Sequence, residues 1–282
     1  MPSHGDVQLV VQTALAEDLG LAGDITSNAC VPEDRKATAA IVARKPGRLA
    51  GLSLVAETFR QVDASLDVAI KLGDGETINP GDTCVEITGA ARSILSGERV
   101  ALNYLCHLSG IATATEQLVN GTVGTKAKIA CTRKTTPGLR LFEKHAVLCG
   151  GGVNHRFGLF DAVMIKDNHI AACRGDIKTA INIARERVGH LVKIEVEVDT
   201  LEQLHACIDA DPDAILLDNM TPKDLIAAVQ LVDGRAILEA SGNVTKDTVP
   251  MIAATGVDII SSGWITHSAP ALDLGLDLTL SE

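Results

Sequence analysis

Residues 214–243 read AILLDNMTPKDLIAAVQLVDGRAILEASGN, and this stretch decides the fold. It contains two continuous apolar runs, AILL and AILEA. The segment between them, PKDLIAAVQLV, places its apolar residues at helical spacing. Strands that are apolar throughout are typical of a parallel sheet covered on both faces, and a helix is the usual connection between such strands. The stretch therefore predicts a strand–helix–strand unit with parallel pairing.

Units of this kind recur through the second part of the chain. Six short apolar runs each lead into polar residues, and they read KAKIAC, AVMI, VKIEVEV, AILL, AILEA and DIIS. After the last three runs, Asp218, Ser241 and Ser262 follow one another at steps of 23 and 21 residues. This spacing predicts a (β/α) barrel, whose polar strand ends converge on one face. A doubly wound open sheet is the alternative, but the Gly-rich turn expected after its first strand is absent from the sequence.

The first part of the chain has a different pattern. Residues 7–19 and 96–117 have helical spacing, and Ser96 is the predicted N-cap of the second helix. Between them, the runs ATAAIVAR, GRLAGL, LDVAIKL and TCVEITG are predicted strands, separated by turns rich in Gly and Pro. This part predicts an α+β domain.

Charge is distributed unevenly along the sequence. The 282-residue chain has a formal net charge of -11, yet residues 126–174 contain nine Lys or Arg against three acids. A cationic segment in an acidic chain concentrates positive potential and favours binding of a small polyanion. Because the chain is acidic and has only six aromatic residues, we expect no nucleic-acid partner.

The seven cysteines form no CxxC pair and are odd in number, which indicates a reducing compartment. The first twenty residues lack a basic segment followed by an apolar core, so we expect no signal peptide. No run of about 18 apolar residues occurs, and we expect no membrane span. A cytoplasmic protein is the resulting expectation.

Carboxylates follow two of the predicted strands. Glu195, Glu197 and Asp199 occur at alternate positions, so on a strand they share one face. A solvated edge strand is one interpretation. Burial is the other, and it would require a cation, a metal ion or hydroxyl donors as partners. Together with Asp218, these acids could bind Mg²⁺ or the diol of a ribose.

Cations follow the other strands. Arg133 and Lys134 come after IACT, where an Arg fork suits carboxylates and phosphates and Lys supplies a point charge. Lys166 follows the apolar run AVMI and could pair with an anionic ligand or form a Schiff base. His155 and Arg156 follow GGGVN, a segment that lets backbone approach a ligand closely.

Small polar residues follow the last two predicted strands, as SGN at residues 241–243 and SSG at residues 261–263. Both stretches precede helical patterns, and helix N-termini bind phosphate groups. The remaining candidates are interpreted as structural: His145, His169, His205 and Cys131.

These motifs together resemble the quinolinate phosphoribosyltransferase family. The likeness runs nearly end to end, through EDLGLAGDIT, SGERVALNYLCHLSGIATAT, CTRKTTPGLRLFEKHAV, GGGVNHRFGLFDAVMIKDNHI, EVEVDTLEQL, ILLDNM, LEASGN and GVDIISSGWITHSAPALDLGLDL. The resemblance implies an α/β fold: an N-terminal α/β sandwich over residues 1–112, joined by residues 269–282, and an atypical, partly open TIM-like barrel over residues 113–268.

The resemblance also implies a reaction. Family members condense quinolinate with phosphoribosyl pyrophosphate in the presence of Mg²⁺. They release pyrophosphate and CO2 and form nicotinate mononucleotide for NAD biosynthesis.

Roles for individual residues follow from the same resemblance. Arg133 and Arg156 would bind the two quinolinate carboxylates, helped by Thr132, Lys134, His155 and Lys166. Glu197 and Asp218 would bind the ribose hydroxyls with Mg²⁺, directly or through substrate or water, and Glu195 would lie beside them. The 5′-phosphate would be held by Ser241, Gly242, Asn243, Ser262 and Gly263. The residues closest to the chemistry would be Lys134, Lys166, Glu197 and Asp218. Arg99 would reach the site of a neighbouring subunit, which implies a homodimer or a higher homo-oligomer.

Three alternatives stay open at this point. One is the molybdenum-transport-associated relative of this family, which shares the fold. The second is a Schiff-base lyase that uses Lys166 or Lys134, and the third is a homologue that binds anions without turnover.

Overall fold

The computed structural model describes residues 2–280 of the chain. It forms two compact units, of which the first comprises Met1–Glu116, Thr136–Gly151 and Ala269–Glu282 and the second Gln117–Thr135 and Gly152–Ser268. The domain boundaries predicted after residues 112 and 268 stay predictions.

The elements alternate between helix and strand along most of the chain. The strands are β1 (Lys36–Ala43), β2 (Gly47–Arg48), β3 (Asp67–Ile70), β4 (Thr77–Ile78), β5 (Thr83–Ala90), β6 (Lys128–Ala130), β7 (Val163–Ile165), β8 (Ile194–Val198), β9 (Ala214–Asp218), β10 (Ile237–Ser241), β11 (Ile259–Ser261) and β12 (Leu274–Leu280). The helices are α1 (His4–Leu19), α2 (Ile25–Cys30), α3 (Leu52–Val62), α4 (Ala91–Asn120), α5 (Arg140–Cys149), α6 (Asp167–Ala172), α7 (Ile177–Arg187), α8 (Leu201–Ile208), α9 (Pro222–Val232), α10 (Val249–Ala253) and α11 (Trp264–His267).

The first unit is built on a four-stranded antiparallel sheet. Its strand order is β12-β1-β5-β3, and the whole of β12 pairs antiparallel with residues 37–43 of β1. Alternate residues of β1 point into the core, so that Ala37, Ala39, Ile41 and Ala43 are fully buried while the intervening residues are not. The α+β character predicted for this part is thus present in the structure.

Two local predictions in the first unit are wrong. Ser96 is not an N-cap, because α4 begins five residues earlier and Ser96 donates its hydroxyl to the carbonyl of Arg92 inside the helix. The helix follows β5 directly, and the N–H of Ala91 is satisfied by the carbonyl of Arg35 rather than by a capping side chain. The strand predicted from GRLAGL is only two residues long, since Gly51, with φ of 108°, leads the chain into α3.

The second unit contains all six strands predicted from the apolar runs. They form one sheet in the order β6-β11-β10-β9-β8-β7, and every pairing in it is parallel. From β7 to β11 each strand lies beside the next one in the chain, and β11 then pairs with β6. This is the circular order of a barrel, without the reversal of a doubly wound sheet. No hydrogen bond joins β6 to β7 within residues 2–280, so the circle is open there.

The pairing register of this sheet separates apolar from polar residues. One face of β8, β9 and β10 consists of buried aliphatic residues, namely Ile194, Val196, Val198, Ile215, Leu217, Leu238 and Ala240. The opposite face includes Glu195, Glu197, Asp218, Glu239 and Ser241. The interpretation of IEVEV as a solvated edge strand is wrong, because β8 lies between β7 and β9 and Glu195 is buried.

Local capping explains where the connecting helices begin and end. In α9, Thr221 accepts a hydrogen bond from the N–H of Asp224 and Pro222 occupies the first helical position. Asp233 closes the same helix in the left-handed conformation. Within the part of the chain that the structure describes, no helix is long and apolar enough to cross a membrane.

Candidate active site

An ion pair joins two neighbouring strands at the polar face of the sheet. The ammonium of Lys166, which follows β7, donates to the carboxylate of Glu197 on β8. The backbone of Lys166 is fixed at the start of α6, because its N–H donates to Nδ1 of His169 over 3.0 Å. His169 therefore has the structural role expected for it. The Lys166 ammonium is bound to a carboxylate, which is the arrangement expected of a charged lysine rather than of an amine ready to form a Schiff base.

His155 lies in a fixed tautomer beside two acidic side chains. The N–H of Arg156 donates to Nδ1 of His155 over 2.8 Å, so Nδ1 is an acceptor and the ring proton is on Nε2. Nε2 lies 2.8 Å from Oε2 of Glu195 and 3.7 Å from Oε1 of Glu239. The imidazole thus donates to Glu195, and both carboxyl groups are buried.

Glu239 is a site residue that the sequence predictions missed. It lies on β10 with only 5% of its surface exposed. Burial raises the pKa of the Glu239 carboxyl well above its usual range, and the negative charge of Glu195 raises it further, while His155 opposes the change. The sequence does contain a signal for this residue. Glu239 is an acid inside the apolar run AILEA, and it lies two positions before Ser241, so both side chains share one face of the strand.

The structure brings the positive charges of Arg133 and Arg156 close enough to repel each other. Burial lowers the pKa of the Arg156 guanidinium, and the like charge of Arg133 adds to the effect. The carboxylates of Glu195 and Asp161 act in the opposite direction. Nη1 of Arg156 donates to the carbonyl of Ala162 over 3.0 Å, which orients the guanidinium. Two partly buried guanidinium groups whose charges act on each other are suited to an anion with more than one negative charge.

The loop after β6 is hydrogen-bonded to α11 and packs against Gly263. Oγ1 of Thr132 accepts from the N–H of Lys134 over 3.0 Å, and the Lys134 carbonyl accepts from Oγ1 of Thr266 over 2.7 Å. The stem of Lys134 lies over Gly263, where a Cβ atom would come within 2.8 Å of its Cδ. The predicted residues Thr132, Lys134 and Gly263 therefore lie together, and the ammonium of Lys134 extends from an exposed residue.

The loops after β9 and β10 interlock in a similar way. The N–H of Asn219 donates to the carbonyl of Ser241 over 2.9 Å, and the amide of Asn243 donates to Oδ1 of Asn219 over 3.3 Å. Gly242 has φ of 93°, and a Cβ atom there would overlap the Asn219 side chain. The SGN stretch is thus a tight turn that only glycine fits at its centre.

The prediction that helix N-termini accompany the two polar loops is only partly met by the structure. α11 begins one residue after Gly263 but is a single turn of four residues, and α10 begins six residues after Asn243. Ser262 is buried, and its N–H donates to the carbonyl of Ala130. Phosphate binding here would therefore depend on loop N–H groups and hydroxyls rather than on long helices.

The donor set of the polar face fits Mg²⁺. Glu197 and Asp218 occupy the same face of neighbouring strands, and Oδ2 of Asp218 accepts from the Asn219 amide over 2.7 Å. Mg²⁺ is commonly held by one or two carboxylates together with substrate phosphates. The cluster of His155, Glu195 and Glu239 suits this ion less well, because it offers a ring nitrogen that carries its proton.

Arg99 belongs to the first unit and lies on α4. Its side chain is 65% exposed, and its guanidinium lies 4.0 Å from the carboxylate of Glu98. An exposed, weakly paired arginine is free to contact a neighbouring subunit, and that contact stays a prediction.

Family models match almost the whole chain. The model of the quinolinate phosphoribosyl transferase N-terminal domain matches residues 24–109, and that of the C-terminal domain matches residues 111–277. The chain belongs to the quinolinate phosphoribosyltransferase family. It is therefore an enzyme, a phosphoribosyltransferase of NAD biosynthesis.

Individual relatives agree with the family match. The chain is 43% identical over 279 residues to a probable nicotinate-nucleotide pyrophosphorylase (carboxylating) of Bacillus subtilis, covering 99% of this chain and 96% of the relative. It is 44% identical over 274 residues to the nicotinate-nucleotide pyrophosphorylase (carboxylating) of Mycobacterium leprae, covering 95% of each. The crystal structure of NadC from Streptococcus pyogenes superimposes with a TM-score of 0.95 at 40% identity and covers 100% of this chain and 99% of that one. The quinolinate phosphoribosyltransferase fold predicted from the motifs is confirmed.

Proposed function

We propose that the cations gathered on the second unit bind the two anionic substrates of the family reaction and that the acids of β8 and β9 bind the ribose. The reaction transfers the phosphoribosyl group of phosphoribosyl pyrophosphate to quinolinate and gives nicotinate mononucleotide, pyrophosphate and CO2. The proximity of Arg133 and Arg156 is the observation that carries the assignment of roles. Quinolinate has two adjacent carboxylates, and two guanidinium forks match that arrangement.

Neutralisation of charge is the first task of such a site. Quinolinate is a dianion and the phosphoribosyl donor carries several more negative charges, so the two repel each other in water. Arg133, Arg156 and Lys134 would offset that repulsion. Holding both reactants together makes the encounter effectively intramolecular, which is worth up to about 7–11 kcal/mol of the barrier.

Departure of pyrophosphate is the second task. Lys166 and Lys134 would compensate the charge that develops on the leaving group, and Glu197 and Asp218 would hold the ribose hydroxyls. Mg²⁺, when bound with the substrate phosphates, would supply further charge neutralisation at the leaving group. The Lys166–Glu197 pair keeps both side chains oriented before substrate arrives. The loops at residues 241–243 and 262–263 would bind the 5′-phosphate.

Decarboxylation requires no strong base. Once the pyridine nitrogen has attacked the ribose carbon, the ring is positively charged. Loss of the adjacent carboxylate as CO2 leaves a stabilised ylide, whose carbanion then takes a proton from water to give nicotinate mononucleotide. The single ring donor of His155, Nε2–H, is directed at Glu195 in this structure and would have to turn away from Glu195 to reach a substrate carboxylate. A site rich in donors, without a nucleophile activated by a base, suits this chemistry.

The assembly and location of the enzyme are part of the proposal. Arg99 would contribute to the site of a neighbouring subunit, so that the functional protein is a homodimer or a higher homo-oligomer. A cytoplasmic location is supported by the seven cysteines, all of which are free thiols.

The deciding experiment mixes the protein with quinolinate, phosphoribosyl pyrophosphate and Mg²⁺ and measures CO2 release together with nicotinate mononucleotide. Equimolar formation of both, lost on omission of the donor, is the expected result. Quinolinate binding in a calorimeter without turnover would instead indicate an anion-binding homologue. Trapping of a carbonyl substrate on Lys166 by borohydride would indicate a Schiff-base lyase.

A further inference from the structure

Three potential metal ligands meet in the first unit at a place that the phosphoribosyl reaction does not use. Nε2 of His145 lies 3.1 Å from Oδ2 of Asp74 and 3.6 Å from Sγ of Cys149. The ligand atoms of all three residues lie within 4.8 Å of one another. We propose that Asp74, His145 and Cys149 form a binding site for a Zn²⁺ ion, with water as the fourth ligand.

The distances agree with the geometry of bound zinc. Zinc bonds of about 2.0 Å to oxygen, about 2.05 Å to nitrogen and about 2.3 Å to sulfur, in a tetrahedron, place the ligand atoms about 3.3–3.6 Å apart. The observed separations of 3.1 Å and 3.6 Å lie close to those tetrahedral edges. One thiolate, one imidazole and one carboxylate are also a donor set that suits zinc better than the hard ions Mg²⁺ or Ca²⁺.

The backbone holds these ligands in place without the ion. His145 and Cys149 are four residues apart on α5, so their side chains lie on one face of the helix. Cys149 is the last residue of α5, where the carbonyl ends of the helix favour a cation.

The carboxylate of Asp74 is oriented by a separate set of contacts. Its Oδ1 accepts from the N–H groups of Gly51 and Leu52 over 2.9 and 3.1 Å, at the start of α3. These bonds leave Oδ2 directed at His145, as expected for a ligand fixed by its outer shell. The next residue, Gly75, has φ of 88° and packs against the end of α5, where a Cβ atom would lie 3.6 Å from the Cys149 carbonyl oxygen.

The arrangement also limits how tightly the ion would bind. Nδ1 of His145 is buried and has no hydrogen-bond partner among the described residues, so only the Nε2 side of the ring is oriented. Outer-shell partners change metal affinity by about tenfold to a hundredfold, so we expect weaker binding than in a structural zinc site with a complete outer shell. The alternative without metal is an ion pair between the imidazolium of His145 and Asp74.

The test is a titration of the full-length, chelator-treated protein with Zn²⁺ in a calorimeter, repeated with Co²⁺ in a spectrophotometer. We expect one Zn²⁺ per chain and a thiolate-to-cobalt charge-transfer band with the intense visible bands of four-coordinate Co²⁺. Cys149→Ser and His145→Gln should each weaken Zn²⁺ binding by at least about tenfold. Cys30→Ser, which removes an exposed thiol outside the cluster, should leave the affinity unchanged.

Equal Zn²⁺ affinity in the wild type and in Cys149→Ser would overturn the proposal, as would loss of binding in Cys30→Ser instead. If Cys149→Ser does not fold, the wild-type Co²⁺ spectrum decides, and the absence of the thiolate band rejects the site. Neither measurement depends on turnover, so the result stands apart from the outcome of the quinolinate assay.

Discussion

Oε1 of Glu239 lies 3.7 Å from Nε2 of His155, the same nitrogen that donates to Glu195 over 2.8 Å. Two buried acids therefore face one imidazole proton. Burial and the neighbouring charge of Glu195 raise the pKa of Glu239, which favours its protonated form more than for an exposed acid. We predict that Glu239 is a positioning residue for His155 and not a base.

Glu239→Gln tests the protonation of this acid through stability. Burial, the largest cause, and the charge of Glu195 together raise the pKa of Glu239 from 4.5 to about 7. The folded state then keeps a proton on Glu239 that the unfolded state has released, so the stability that Glu239 contributes is fully present below pH 4.5 and is lost as the pH rises through about 7. Glutamine keeps the shape and a donor without titrating. Urea unfolding across this pH window should therefore show a smaller loss of stability in Glu239→Gln than in the wild type.

The matched control for this experiment is Glu186→Gln on the exposed surface of α7, which removes one carboxylate without touching the cluster. A pH dependence in Glu239→Gln equal to that of the wild type would show that Glu239 does not hold the proton. Glu239→Leu adds a second readout. If Glu239 positions His155, the glutamine variant should retain a larger share of kcat than the leucine variant.

Arg133→Ala tests whether the paired guanidinium groups bind quinolinate. Because a hydrogen bond between charged partners contributes about 1.5–3 kcal/mol, the variant should bind quinolinate about tenfold to a hundredfold more weakly. Affinity for phosphoribosyl pyrophosphate should change much less, since its phosphates are assigned to other loops. Calorimetric titration with each substrate separately measures both quantities.

The control for Arg133→Ala is Arg187→Ala, which removes a positive charge from the exposed end of α7. It should leave both affinities unchanged, because a distant exposed charge is screened by salt. An equal loss of affinity for the two substrates in Arg133→Ala would contradict a role in carboxylate binding.

Gly242→Ala tests the turn proposed to hold the 5′-phosphate. The new Cβ atom would overlap the Asn219 side chain, and the residue would also keep a positive φ of 93°. Gly234→Ala is the matched control, because Gly234 has φ of 75° and open space around its Cα. The free energy of unfolding of the control should fall by about 1 kcal/mol through backbone strain alone.

Overpacking should make Gly242→Ala less stable than this control by a further 1–3 kcal/mol or so. It should also raise the KM for phosphoribosyl pyrophosphate more than that for quinolinate. Thermal unfolding and steady-state kinetics measure the two effects. Identical behaviour of the two alanine variants would show that the interlocked loops do not need glycine at position 242.

The sequence predicted the barrel strands because each is a short apolar run followed by polar residues, a pattern that burial on both sides of the sheet produces. It did not predict α3, since GRLAGL has strand-like residues and only the conformation of Gly51 reveals the turn into the helix. The start of α4 was misplaced because its first N–H is satisfied by Arg35, a partner distant in sequence. The starts of these two helices depend on backbone conformation and tertiary contacts that the local sequence does not contain.

The residues of the candidate site were likewise predictable where local sequence marks them and not where tertiary contacts do. Arg133, Lys134, Lys166 and Asp218 were predicted because each follows or ends a predicted strand. Glu197 was predicted because it alternates with Glu195 and Asp199. Glu239 was missed because it is a single acid within the apolar run AILEA, and because its neighbours His155 and Glu195 come from distant parts of the chain. The metal ligands Asp74 and His145 are 71 residues apart, so no motif in the sequence joins them.

Arg99 offers a test of assembly that needs no structure of the oligomer. If Arg99 acts in the site of a neighbouring subunit, Arg99→Ala and Arg133→Ala homodimers are both impaired at every site, for different reasons. After subunit exchange, a mixed dimer combines both defects in one site and leaves the other site intact. Random mixing makes half of the dimers mixed, so about a quarter of all sites should regain wild-type activity. Differently tagged subunits verify the exchange, and a mixture of Arg133→Ala with Arg156→Ala, both from the same chain's site, should recover nothing. Absence of recovery in the first mixture despite verified exchange would place Arg99 outside a shared site.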